Sequence, residues 1–349
     1  MFLLFKVYWM HKLIIFLSFF FLGTAVSAQK ISSSDLKILK KKEDSLQILS
    51  LKIIQGKTAG DRFQADSEFT KMFVRALKIK SSFHYAFDSL LTISKLSPTD
   101  SSFKIFTWQM VINDNVVRQH GAIQMRTPDG LLKLFPLIDK SDITSNMSDT
   151  IGNNFGWIGA VYYKIIQTQS GDKNYYTLLG YDEDNIRSNK KIIEVLSFEN
   201  EQPIFGGSYF NFSDNTSLKP NPARLILEYK KNASPRLVYD KEQDMIIYEH
   251  LISETGEDKK KYTYIGDGDY EGLKWKDGKW VHIDKVFTQK LKEGDEPIPN
   301  LIRDANGNID RSKLKNNGLG DDINDKPEAE IKTVTKTKTT PSKVKVKKK

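Results

Sequence analysis

The spacing of apolar residues changes once along this chain, near Phe103, and that change constrains the fold more than any other feature. Upstream, Leu36, Leu39, Leu46, Leu49 and Ile53 recur at helical spacing, which leaves Lys40, Lys41 and Lys42 for the wet face. Ser32-x-x-Asp35 has the form of a capping box at the head of this run, and Gly56 and Gly60 interrupt it. Phe69, Phe73, Ala76 and Leu77 mark a second helix, and Phe83, Phe87, Leu90 and Leu91 a third. Ser97-Pro98-Thr99-Asp100 ends the helical segment with turn residues.

Downstream the period is two. Phe106, Trp108, Met110 and Ile112 share one face of a strand, Asn113-Asp114-Asn115 turns the chain, and Val116 to Met125 returns. Val161 to Thr168 and Tyr175 to Tyr181 flank a hairpin loop at Ser170-Gly171-Asp172-Lys173. Lys191 to Phe198 is a further strand. Ala223, Leu225, Leu227 and Tyr229 alternate with Arg224, Glu228 and Lys230, as in a strand with one face wet. Leu237 to Tyr239 precedes Met245 to Leu251, and Asp277-Gly278 joins Leu273–Lys276 to Lys279–Ile283 with a two-residue hairpin signal. About a dozen short strands without helical crossovers predict a mainly β chain with an N-terminal helical segment, α+β overall. The strands should form an antiparallel meander, closed as a barrel or packed as two sheets. A propeller stays an alternative, but no repeat of fixed period supports it. Trp108, Leu225, Leu227 and Tyr229 are the expected core.

The ends differ from this body. Lys12 precedes the apolar run Leu13 to Leu22, and small residues with Val26 and Ala28 at the cleavage positions follow. Residues 1–28 therefore read as a secretory signal, with Met10 as the better start and Gln29 as the first mature residue. Residues 29–99 are then a helical segment packed on an antiparallel β domain of 100–292, and 293–349 a disordered acidic linker and Lys-rich tail. The net charge of +9 sits mostly at the end: residues 331–349 carry eight Lys and no acid. Residues 29–292 hold only +4, too little for a nucleic-acid footprint. A flexible string of Lys could make weak electrostatic contact with anionic envelope surfaces. The absence of Cys excludes disulfides, thiolate metal sites and a Cys nucleophile.

Few residues suggest chemistry. His84, His120, His250 and His282 lie far apart, with no HExxH, so each reads as structural or exposed. No Gly-x-Ser-x-Gly or phosphate loop exists, and Gly206-Gly207-Ser208 suits a turn better than an oxyanion hole. Two acidic groups keep catalysis open: Asp182-Glu183-Asp184 after one strand, and Asp240, Glu242 and Asp244 in one hairpin. Acids in β-turns more often bond their own backbone. Asp304 to Asp310 begins like a calcium loop, but Ile309 stands where Gly is needed and Lys315 where Glu is needed. Trp157, Tyr162, Tyr163, Tyr175, Tyr176, Tyr262, Tyr264, Tyr270, Trp275 and Trp280 could stack on a glycan, though strands also use such residues for packing. The sequence thus nominates no catalytic residue, no cofactor and no metal.

Several stretches carry a resemblance together. They are Ser101–Trp108, Trp157–Ile165, Tyr176–Asp182, Ser188–Phe198, Tyr248–Leu251 and Tyr270–Val281. In this order they resemble an uncharacterised family of exported proteins of Bacteroidetes-type bacteria, over roughly residues 100–287. The resemblance implies export and a single β-rich unit, and it brings no activity or site residue. The acidic-to-basic tail falls outside that pattern. The expected function is an exported, non-catalytic binding or envelope-associated module, periplasmic or at the cell surface. The alternative is a secreted hydrolase acting on glycans through paired carboxylates. A third reading, an outer-membrane barrel, is weakened by charged strand residues and by the Lys-rich end.

Overall fold

The computed structural model describes residues 30–113, 116–212 and 221–287. The expected signal, Asp114-Asn115, the linker and tail, and the calcium-like stretch lie outside these residues. The described chain is mainly β with an N-terminal helical pair, as expected.

Helix α1 (Ser33–Gln55) starts where expected, with the Ser32 hydroxyl accepting the Asp35 N–H at 3.1 Å. Helix α2 (Ala59–Leu77) carries a reciprocal capping box between Thr58 and Asp61. Leu39, Leu46 and Ile53 of α1 meet Phe69, Phe73 and Leu77 of α2 in one core. Leu36, expected on that stripe, is instead exposed.

The third helix does not form. Residues 82–84 make one 3₁₀ turn, and the chain then runs irregularly into strand β1 (Ser94–Leu96). Phe87 takes a left-handed φ of 55°, which no helix continues through. Phe87 and Leu90 are still buried, and the Phe87 ring meets Phe73 edge-on at 5.2 Å, whereas Leu91 is exposed. The apolar spacing in this segment reports burial of a strap, not a helical period.

The first sheet runs β1, β2 (Phe103–Asn113), β3 (Val116–Met125) and β4 (Lys133–Ile138), all antiparallel. The second holds β5 (Gly152–Asn153), β6 (Val161–Ser170), β7 (Lys173–Asp182), β8 (Ser188–Glu199) and β9 (Gln202–Phe205). The two-residue strand β10 (Phe210–Asn211) belongs to the third sheet, while β11 (Arg224–Lys230) joins the second by pairing with β8. The third sheet continues through β12 (Leu237–Asp240), β13 (Met245–Ser253), β14 (Tyr264–Lys276) and β15 (Lys279–Ile283). Its β10–β15 pair is parallel. The sequence reading allowed a closed barrel or two packed sheets; the strands divide among three.

These sheets stack in layers. Phe106, Trp108 and Met110 of β2 face the helices, while Phe103 and Ile105 face the second sheet. Within β8, Ile192 and Leu196 face the first sheet, and Ile193 and Val195 face the third. The second sheet is therefore covered on both sides, which explains its long apolar runs.

That position overturns the reading of β11. Arg224, expected on a wet face, is fully buried. It is the register partner of Glu194 on β8, and its Nε donates to Glu194 Oε2 at 2.9 Å. Its remaining nitrogens donate to the carbonyls of Met147, Thr150 and Phe205. Glu194 Oε1 accepts the Tyr162 hydroxyl, which in turn accepts Trp157 Nε1–H at 2.7 Å. Burial and the neighbouring Glu194 push the Tyr162 pKa far up, so this hydroxyl stays a donor. Trp108, Leu225 and Tyr229 are buried as expected, but Leu227 is only half-buried.

Candidate functional site

Leu227 is half-buried because it lines an open cleft of about 810 Å³, formed by β11, β13, the 256–264 segment and residues 145–148. Its apolar wall includes Leu225, Leu227, Leu251 and Ile252. Its polar floor is built from the third sheet. His250 of β13 and Glu271 of β14 both line it.

A local irregularity makes this floor. Glu249 pairs with Tyr270, but Leu251 pairs with Gly266, so Asp267, Gly268 and Asp269 bulge opposite His250. Gly268 sits at φ 89°, a conformation that an L side chain resists. The bulge turns Asp267 onto His250, with Nδ1 2.7 Å from Oδ2. Asp267 Oδ1 accepts the Asp269 N–H at 3.0 Å, which fixes the carboxylate. The other ring nitrogen, Nε2, faces Glu271 Oε1 at 3.8 Å. Glu271 Oε2 accepts from Tyr248 at 2.7 Å and bonds His282 Nε2 at 2.6 Å. His282 itself is buried against the Phe212 ring.

The electrostatics follow from these bonds. Burial raises the Glu271 carboxyl, but the hydrogen bonds from His282 and Tyr248 and the nearby histidines outweigh it, and its pKa lies below the usual value. Asp267 is also lowered: burial opposes, while the bond from His250 and the Asp269 N–H prevail. Both are therefore anions at neutral pH. At the far side Lys261 lies over the Tyr264 ring, 4.1 Å from its centroid.

The expected acids stand elsewhere. Asp182 is buried and accepts from Gln119 Nε2 at 2.8 Å and from the Asp184 N–H. Burial raises its pKa to about 6, against the opposing Asp184 N–H and the Lys190 charge. Glu183 meets Gln109 and Lys231, and Asp184 meets Lys190 at 2.6 Å. Asp240 Oδ1 accepts the N–H groups of Glu242 and Gln243, which is turn chemistry, and Asp244 accepts the Tyr239 hydroxyl. None of these six acids lines the cleft. Gly206 and Gly207 spend their N–H groups on the distant carbonyls of Val195 and Ala223, so they bond to other segments rather than across a local turn.

The histidines divide. His120 bonds Asp66, which also accepts Trp108 Nε1–H, and this ties α2 to the first sheet. His84 packs against Phe83. His250 and His282, 32 residues apart, converge on Glu271. Trp157, Tyr162, Tyr176 and Trp280 are core residues, and Tyr175, Tyr176 and Tyr209 border a smaller depression of about 280 Å³. Asp267 and Glu271 were not singled out in the sequence. The signal for them was a Gly between two Asp inside a strand pattern, the mark of a bulge. Among the described residues no helix is long and apolar enough to cross a membrane. No family model matches the chain, and no curated protein or solved structure matches it.

Proposed function

We propose that this is an exported binding module without catalysis, acting in the periplasm or at the cell surface through the cleft of β11 and β13. The observation that carries it is the cleft itself: half apolar wall, half fixed polar floor, with room for a small ligand or a short chain segment. A glycosidase needs one carboxyl kept protonated near neutral pH. Glu271 is held the other way, as an anion. Export rests on the basic, apolar and small-residue order of residues 10–28. The kinship with exported Bacteroidetes-type proteins belongs to the same proposal.

The test is a thermal-shift screen of the mature chain against oligosaccharides and short peptides. The expected result is a compound that stabilises wild type, fails to stabilise Leu227→Arg and is recovered unchanged. Cleavage of a panel member that vanishes in Glu271→Gln overturns the proposal in favour of the alternative, a secreted hydrolase. That reading finds support in one place, the ring of His250 oriented by Asp267 beside Glu271.

A further inference from the structure

His250 and Glu271 face each other on the cleft floor with no direct hydrogen bond between them. Asp267 as a carboxylate can only accept, so Nδ1 of His250 is its donor and Nε2 is the ring nitrogen turned toward Glu271. Glu271 Oε1 stands opposite at 3.8 Å, beyond a direct N–H···O bond. The separation is close to what a bridging ion requires. With metal–nitrogen and metal–oxygen bonds of about 2.1 Å, a tetrahedral angle spaces two ligand atoms about 3.4 Å apart. Closing the gap needs about 0.4 Å; a direct hydrogen bond at about 2.9 Å would need about 0.9 Å.

The surroundings have the arrangement that metal ligands receive. A ligating imidazole usually donates its second N–H to a carboxylate, and a ligating carboxylate is itself hydrogen-bonded. Here the bulge delivers Asp267 to His250, and Tyr248 and His282 hold the second oxygen of Glu271. His250 is half-exposed, so an ion can enter from the cleft, while Glu271 is buried beneath it.

We propose that the cleft floor holds a divalent transition-metal ion between Nε2 of His250 and Oε1 of Glu271, with its other positions open to water or to oxygen and nitrogen atoms of the bound ligand. This rests on the reading of the cleft as a binding site. An imidazole with a carboxylate suits zinc, nickel or cobalt better than calcium or magnesium. Among the described residues no three His, Asp or Glu are grouped to hold an ion. The site therefore supplies two protein ligands, and it serves to recruit a ligand rather than to hold the fold.

The experiment uses the mature chain, stripped with chelator and titrated calorimetrically with zinc chloride, and with cobalt chloride for the visible spectrum. One saturable zinc ion per chain is expected, with cobalt bands of a low-coordinate site. His250→Ala should abolish that binding. Asp267→Asn should weaken it about 10- to 100-fold, the usual effect of losing a supporting carboxylate. His250→Ala changes a half-exposed side chain, and its circular dichroism should match wild type. Glu271→Gln, which disturbs buried partners, is read only after the same check. Saturable binding that is equal in wild type and His250→Ala, or no binding in wild type, overturns the site. If the metal-free chain still takes ligands that Leu227→Arg rejects, the metal site alone has failed. If neither ion nor ligand binds, the cleft reading has failed with it.

Discussion

Arg224 and Glu194 face each other across β11 and β8 as register partners, both without solvent contact, and the guanidinium also holds the Met147 and Thr150 carbonyls. The pair thus fastens residues 147–150, next to the cleft, onto the middle sheet. Removing one member leaves an uncompensated buried charge, which costs about 3–5 kcal/mol.

Glu194→Gln should therefore lose about 3–5 kcal/mol in urea unfolding. Arg224→Met combined with Glu194→Leu should lose less than the two single losses together, because no lone charge remains. In Arg224→Met, hydrogen exchange should quicken first in residues 147–151. An additive double mutant would mean that the two charges do not depend on each other.

Leu225 and Leu227 both line the cleft from one strand, but Leu225 is buried and Leu227 only half-buried. Leu225→Ala should cost about 2–5 kcal/mol, the range for a buried leucine. Leu227→Ala, half-buried at the cleft wall, should cost under half of that and change ligand binding more than stability. Equal losses in denaturant titrations would place Leu227 in the core after all.

The difference between these two leucines marks where sequence reading stops. Period-two alternation located β11, and the Asp277-Gly278 hairpin turned out with both residues at positive φ, as a primed turn demands. Alternation cannot tell one covered face from two, however, so Arg224 read as wet. Its partner Glu194 lies 30 residues earlier, and only the β8–β11 register joins them. The failed third helix has a similar cause: Phe87 and Leu90 carried helical spacing, but packing on Phe73 and Phe106 decided their backbone. The cleft floor was the least legible part. His250 and His282 gain meaning only through Glu271, and that convergence comes from strand pairing, not from spacing.

On the proposal of export, N-terminal sequencing of the mature chain should begin at Gln29, because Val26 and Ala28 fit the −3 and −1 positions of a signal cleavage motif. An intact 10–28 segment in the mature protein would exclude a cleaved signal.

For the eight Lys of 331–349, co-sedimentation with anionic vesicles should be salt-sensitive and should drop in a chain ending at Glu330. Equal binding by both chains would remove the tail as a tether.

Asp182 makes the stability of the fold depend on pH. Its carboxyl is buried between β3 and β8, where Gln119 and the Asp184 N–H favour the anion less than burial disfavours it. The folded pKa of about 6 stands above the ordinary 3.8, so the native state binds this proton more tightly than the unfolded chain. Stability from this group is then greatest below about pH 4 and falls as pH rises to 6, reaching a constant penalty above that. Two units correspond to at most about 3 kcal/mol. Asp182→Asn keeps an oxygen for Gln119 and the Asp184 N–H and carries no charge. It should be more stable than wild type at pH 7, by about 1–3 kcal/mol, and the advantage should vanish by pH 4. Other carboxylates titrate in both proteins, so the difference between the two stability curves isolates Asp182. A difference that stays flat from pH 4 to 7 would show that Asp182 is ionised throughout, held by Lys190 and Gln119 more strongly than burial opposes.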